Sequence, residues 1–319
     1  MVLLPFLLGM SGCSGKASHA ESLANGGSDG ATGGTAAGGA AAPDAFGEFR
    51  VELVAANPDE GALAYTTFIG EVSAVPLLSI EQWQLDSEQG GCRLLIPSKP
   101  VCSPSCDNAG VCTDENVCTP ISEPQNVGNV RVTGLGTREF VVKPMSRGAL
   151  YQPTFDLPNP PCSEGSPVSV QADSFRIQGT CIASLTLFGA DPLPVRAGEG
   201  VRLSWAPPGQ SDITRIQIWL KVGIGHGDSS KIECDVPDTG AFEIPAPLVS
   251  KLVDLGLAGY PAIAVTRVST AYSATTQSVG LVIASLVWRD VDSGVTSCFD
   301  DSACPAPQSC RKDETCGEL

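Results

Sequence analysis

The sequence predicts an all-β protein, an antiparallel β-sandwich with one short helix and two small disulfide-rich segments. Three observations predict it. Short runs of alternating apolar and polar residues recur beyond residue 47, the pattern of strands with one buried face. Turn-forming stretches separate these runs, at Asn126–Asn129, Gly134–Thr137, Ala190–Gly200 and Pro207–Asp212, as sandwiches require. The chain carries 13 cysteines, and 12 of them lie at or beyond Cys92.

Residues 1–12 are too short to span a bilayer, which takes about 20 apolar residues. The run Leu3-Leu4-Pro5-Phe6-Leu7-Leu8-Gly9 followed by Met10-Ser11-Gly12 reads as the apolar core of a signal peptide closing on small residues. Met10-Ser11-Gly12-Cys13 resembles the bacterial lipobox. That resemblance implies cleavage before Cys13, attachment of a diacylglyceryl group to Cys13 through its sulfur and, with Ser14 beside the anchor, placement at a Gram-negative outer membrane. With Cys13 acylated, the other 12 cysteines can pair completely. Residues 13–46 are Gly, Ala and Ser with four charges. They have no apolar periodicity and read as a flexible tether reaching roughly 30 Å.

The remaining 270 or so residues divide by pattern. Residues 47–101 form an N-terminal β segment, alternating at Arg50–Val54, expected to pack on the main sandwich. Residues 119–297 form that sandwich. Val168–Val170 and Phe175–Ile177 alternate, Val201, Leu203 and Trp205 share one face, and Ile216, Ile218, Leu220 and Val222 form the buried side of Arg215–Val222. Leu281–Trp288 is apolar on both faces, as in a central strand. The helix is the exception to the strand period. Leu248, Leu252 and Leu255 line one stripe, with Val249 and Val253 beside it. Pro247 suits the first turn and Gly256 the stop.

Residues 102–118 and 298–319 contain the two cysteine blocks, Cys102-x3-Cys106-x5-Cys112-x5-Cys118 and Cys298-x5-Cys304-x5-Cys310-x5-Cys316. Each has almost no large apolar side chain, so cross-links must hold it, and each short loop closed contributes about 2–4 kcal/mol. Cys92, Cys162, Cys181 and Cys234 remain and allow three pairings. Cys162 and Cys181 flank the hairpin expected from Val168–Ala172 and Phe175–Gly179, which favours Cys162 with Cys181 and leaves Cys92 with Cys234.

The first block, with Pro104, Gly110-Val111-Cys112 and Cys118, resembles half an EGF-type module. The second, with Asp300-Asp301, Cys304-Pro305 and Gln308-Ser309-Cys310, resembles the small cassettes that end some secreted bacterial proteins. Together with Gly91-Cys92-Arg93-Leu94-Leu95, Val130–Leu135, Lys231–Val236 and Asp238-Thr239-Gly240, the arrangement is similar to the uncharacterised Cys-rich lipoproteins of predatory Gram-negative bacteria. The resemblance covers nearly all of residues 47–316. It implies a fold and a location and no activity.

Composition narrows the chemistry. Lys plus Arg number 19 against 35 Asp plus Glu, a net charge of −16. Nucleic-acid binding depends on neutralising phosphates, so this balance argues against it. The chain holds two histidines, His19 in the tether and His226. His226 with Asp228 and Ser229 or Ser230 would be a catalytic set crowded into one Gly-rich turn, where triad geometry is rarely reached. Beyond the tether no G-x-S-x-G elbow occurs, and the chain has no H-E-x-x-H or Walker A loop. The x5 cysteine spacing departs from zinc-binding pairs. Asp290-Val291-Asp292-Ser293-Gly294 with Asp301 lacks the fifth-position ligand and sixth-position glycine of an EF-hand, and Asp235–Gly240 reads as a turn. No metal or cofactor is expected. No carboxylate pair is singled out for glycoside cleavage. Trp205 and Trp288 are expected in the core, and Trp83 has no place by pattern. Trp219 shares the polar face of its strand with Arg215, Gln217 and Lys221. It is the candidate binding residue, since an exposed indole stacks on sugars or anchors a partner, unless a loop or residues 47–96 cover it. The expected function is a lipid-anchored, non-catalytic envelope module binding a glycan or surface protein. The alternatives are a structural envelope component without a specific ligand and a carboxylate-based hydrolase.

Overall fold

The computed structural model describes residues 46–57, 61–73, 83–98, 100–106, 110–121, 123–136, 138–145, 150–221, 230–255, 261–274, 278–296, 298, 300–311 and 315–317. Cys13, His19, Val222, His226, Asp228, Ser229 and Gly256 lie outside them.

The elements follow one another as β1 (Phe46–Val54), β2 (Tyr65–Ser73), β3 (Trp83–Gln89), β4 (Cys92–Pro97), β5 (Gly110–Asp114), β6 (Val117–Pro120), β7 (Val130–Thr133), β8 (Phe140–Val142), β9 (Pro167–Gln171) and β10 (Arg176–Thr180). Then come β11 (Leu187–Phe188), β12 (Leu193–Pro194), β13 (Val201–Trp205), β14 (Arg215–Lys221), β15 (Lys231–Pro237), β16 (Ala241–Ile244), α1 (Ala246–Asp254), β17 (Ala262–Tyr272), β18 (Val279–Asp292), β19 (Ser309–Cys310) and β20 (Cys316–Gly317). The fold is all-β, as its alternation requires.

One long sheet organises everything, in the order β2-β1-β18-β17-β14-β15-β4-β3, with β12 also on β18. A four-stranded sheet, β10-β9-β7-β8, and a three-stranded sheet, β11-β13-β16, stand apart from it. The sheet departs from the antiparallel expectation at one side of β18. There β1 runs parallel to β18 from Gly47↔Val279 to Val54↔Leu286, and β12 continues parallel at Leu193↔Val291. The long separation between β1 and β18 in sequence permits the crossover that a parallel pair needs.

Odd-numbered residues of β17 and β18 point to one face of this sheet, and two separate cores form along it. At one end Val279, Leu281 and Ile283 pack with Phe49, Val51, Leu53 and Phe68, under Val130, Val132, Val168, Val170 and Ile177 of the four-stranded sheet. Phe49 is the hub, with ring centroids 6.0 Å from Phe68, 5.8 Å from Tyr151 and 5.6 Å from Phe175. It lies across Gly70, where a Cβ would collide with its ring. At the other end Val287, Ile263, Val265, Ile216, Ile218 and Leu220 pack under Leu203, Trp205 and Ile244 of the three-stranded sheet and under α1. In α1 the buried stripe is Leu248, Val249 and Leu252. Leu255, expected in that stripe, is exposed, because the helix ends at Asp254 and the next residue is the cap.

Between the two cores the inner face turns polar at Arg267↔Ser285. Arg267 is 1% exposed and Asp238 is 1% exposed. Arg267 Nε donates to Asp238 Oδ2 at 2.6 Å, and Nη2 donates to Asp238 Oδ1 at 3.3 Å and to the Ala206 carbonyl at 2.6 Å. Its Nη1 donates to the carbonyls of Ala183 and Ser184, both at 3.3 Å. All five guanidinium N–H groups are therefore used. Asp238 also accepts from Trp205 Nε1 at 2.7 Å and Thr214 Oγ1 at 3.0 Å. Ser285 Oγ accepts from Leu185 N at 2.9 Å. Arg267 and Ser285 thus grip the main chain at 183–185, where it crosses from the four-stranded sheet to the three-stranded one.

Six disulfides complete the fold. Cys92–Cys234 joins neighbouring strands β4 and β15, and Cys162–Cys181 closes the β9–β10 hairpin. These are the two pairings that the hairpin argument favoured. Each cysteine block pairs first to third and second to fourth, Cys102–Cys112 with Cys106–Cys118 and Cys298–Cys310 with Cys304–Cys316. Each folds as one two-stranded hairpin, β5-β6 or β19-β20. The shared spacing in sequence therefore matches a shared local structure.

Candidate functional site

The face of the long sheet that carries the even-numbered residues of β17 and β18 belongs to neither large core. Its central Val268, Val282 and Ala284 form a small cluster of their own. Strand parity sends three of the chain's four tryptophans to this face. Trp288 on β18 pairs with Ala264 on β17, and Ala264 pairs with Trp219 on β14. Two strand steps separate the two indoles, about 10 Å, with only a methyl group between. Trp83 stands on β3 at the sheet edge, opposite Pro97.

Trp219 takes the face expected of it but is not bare. It is partly buried, and the Lys231 ammonium lies 5.1 Å from its ring centre. The same ammonium lies 4.0 Å over the Trp83 ring. Lys231 is 5% exposed and pairs with Glu233 Oε1 at 2.7 Å, which provides the counter-charge that a buried cation needs. Arg93 Nη2 reaches Glu233 Oε2 at 3.4 Å. The residues 47–96 therefore do reach Trp219, through Trp83 and the shared lysine.

Trp288 corrects the core assignment. It is 38% exposed. The apolar run of β18 continues past the end of its neighbour, since β1 stops at Val54 opposite Leu286, so nothing from β1 lies beside the indole. Trp205 is in the core, 1% exposed. Sequence reasoning missed the Arg267–Asp238 pair. The signal was a lone arginine inside the apolar run Ile263-Ala264-Val265-Thr266-Arg267-Val268, which cannot be buried without an anion.

Toward the β1 side the face carries Glu48, Arg50 and Glu52, with Arg50 bonded to Glu52 at 3.2 Å and 3.6 Å from Glu48. Burial pushes the Glu48 carboxyl above its ordinary range, and Arg50 opposes the shift. A carboxyl raised in the folded state holds its proton there more tightly than in the unfolded chain. Its effect is absent below the ordinary glutamate range, and stability falls as pH rises through the raised value. Glu48→Gln is expected to be more stable than the parent at neutral pH by about 1 kcal/mol or less, given the partial exposure. Thermal unfolding midpoints of the two proteins should converge as pH falls below 4.

The remaining candidates take structural roles. The sulfurs of Cys102, Cys106 and Cys118 cluster within 4.8 Å, as do those of Cys298, Cys304 and Cys310. Every one is in a disulfide and offers no thiolate to a metal. Asp292 pairs with Arg196 Nη2 at 2.7 Å and accepts from Gly294 N at 2.8 Å, and Arg196 holds its carboxyl below the usual range. Asp301 Oδ1 accepts from Cys310 N at 2.7 Å, and Asp300 caps Ser302 N at 2.9 Å. These carboxylates close turns. Among the described residues no helix is long and apolar enough to cross a membrane. Comparison with protein-family models, with curated proteins and with solved structures gives no match.

Proposed function

We propose that the chain is an exported envelope protein, anchored at the outer membrane through a lipid on Cys13, and that it serves there as a non-catalytic binding module for a glycan or a surface protein. One observation carries the reading: a sheet face outside both large cores collects Trp83, Trp219 and Trp288. Large aromatic side chains on a flat, polar-rimmed surface are the usual anchors of binding. Six disulfides support export, because such bonds persist in oxidising compartments. The cysteine-block resemblance points to the same setting.

The test is capture by the full-length lipidated protein from intact envelopes, with intact mass read in parallel. Intact mass is expected to show a diacyl adduct on Cys13 and no free thiol. Trp288→Ala is expected to weaken retention of the captured ligand about tenfold or more, the cost of losing an aromatic anchor. Folded protein that retains no envelope glycan and no envelope protein would overturn the binding reading, and an unacylated amino end would overturn the anchor.

A further inference from the structure

A second place on the molecule has the features of a ligand site, at the outer edge of β2. The chain at 150–159 runs antiparallel along this edge and touches it twice, at Gly70↔Tyr151 and at Thr66↔Leu157. Between the bridges three residues of β2, 67–69, face five residues, 152–156. The surplus makes the outer chain arch away from the strand and opens a groove of about 730 Å³, within the range of small-ligand sites.

The floor of the groove has unspent hydrogen-bonding capacity. Gly70 N and O bond Tyr151 O and N, both at 2.8 Å, so this residue turns its main chain outward from β1. Strand parity turns the Phe68 N–H and C=O outward as well. The arch has moved off, and among the described residues no main-chain group meets them. Phe68 is 1% exposed. A donor and an acceptor on a buried residue need a partner from solvent or ligand. The two bridges close the edge at both ends, so an added strand cannot run along β2 and the ligand must be compact.

The walls fix its chemistry. Tyr65 and Phe155, 51% and 50% exposed, line the groove with Thr67, Gln152, Asp156 and Asn159. Phe155 is held edge-on to Phe140 at 5.2 Å, and Phe140 edge-on to Phe68 at 6.2 Å, so its ring is supported from the core. Thr66 Oγ1 donates to Asn159 Oδ1 at 3.2 Å, leaving the Asn159 amide nitrogen for a ligand. Among the described residues no cationic side chain lines the groove, which disfavours anions. A ligand with an apolar ring face and adjacent groups that both donate and accept fits all of this. We infer that the groove between β2 and the 152–156 arch binds a neutral carbohydrate unit of one or two pyranose rings, its C–H face on Phe155 or Tyr65 and its neighbouring hydroxyls on the Phe68 main chain, Asp156 and Asn159.

The site is separate from the tryptophan face, and its test separates the two. Saturation-transfer NMR on the full-length protein, with neutral hexoses, N-acetylhexosamines and their disaccharides as probes, is expected to give transfer to ring protons of at least one sugar. Phe155→Ala and Asp156→Asn should each reduce affinity tenfold or more, with far-ultraviolet dichroism unchanged. Asp156→Asn preserves the volume of the side chain and guards against misfolding of the first variant. Transfer lost in Trp288→Ala and kept in Phe155→Ala would assign the sugar to the sheet face and overturn the groove. Folded protein giving no transfer to any sugar at millimolar concentration, or binding extended peptides in their place, would overturn it too.

Discussion

Asp238→Asn is expected to lower the unfolding free energy by about 3–5 kcal/mol, the usual cost of stranding one member of a buried ion pair. The native carboxylate receives four hydrogen bonds, from Arg267 twice, Trp205 and Thr214. The amide keeps the shape but loses the charge, and it must turn an NH₂ toward donors. Arg267→Met should cost as much for a second reason. It abandons the carbonyls of Ala183, Ser184 and Ala206, each of which is then an acceptor without its donor. The double variant Arg267→Met/Asp238→Leu should recover part of the loss by removing both charges, but not all, because those carbonyls stay unmet. Urea denaturation of the four proteins measures this. A cost under 1 kcal/mol for either single change would show that water reaches the junction and that the pair does not divide the cores as described.

Removing Cys92–Cys234 is expected to have the next largest effect. It closes a loop with a sequence separation of 142, and in the chain-entropy view a loop of that length restricts the unfolded state by about 5 kcal/mol. It also fixes β4 to β15, and through β4 the edge strand β3 that carries Trp83. Cys92→Ala/Cys234→Ala should therefore lose about 3–5 kcal/mol. Its signature is local as well as global: Trp83 should leave Lys231 and its fluorescence should shift to the red before the main transition. The double variant of Cys162 and Cys181 spans only 19 residues and should lose less. Equal losses from the two would argue that native contacts, rather than loop length, set the contribution of these bonds.

Local pattern carried what local physics decides. Alternation in Arg215–Lys221 places Ile216, Ile218 and Leu220 inside, because a strand has only two faces. The hairpin that brings Cys162 to Cys181 lies within 19 residues, so its disulfide is legible from its flanks. What depends on distant chain was not. The parallel seat of β1 on β18 follows from competition among all strands for one partner. The Trp288 error has the same root, because an apolar run does not say where the neighbouring strand stops. Trp219 was placed on its correct face, yet Lys231 and Trp83 against it could not be read, since they belong to β15 and β3, two segments joined through β4. The β2 groove was invisible for a similar reason. It exists because two segments some eighty residues apart meet with unequal lengths between their bridges.

The parallel pairing of β1 with β18 also governs how the molecule answers a pull. Any linker arriving at Phe46 delivers load to one end of β1, while the chain leaving Asp292 toward the last cysteine block is drawn from the opposite end of β18. Stretched between these points, the two strands slide along each other rather than peel. Eight register pairs, Gly47↔Val279 through Val54↔Leu286, then resist together instead of yielding one at a time. Load applied between the start of β1 and the end of β18 is thereby met across the strongest direction of this pair.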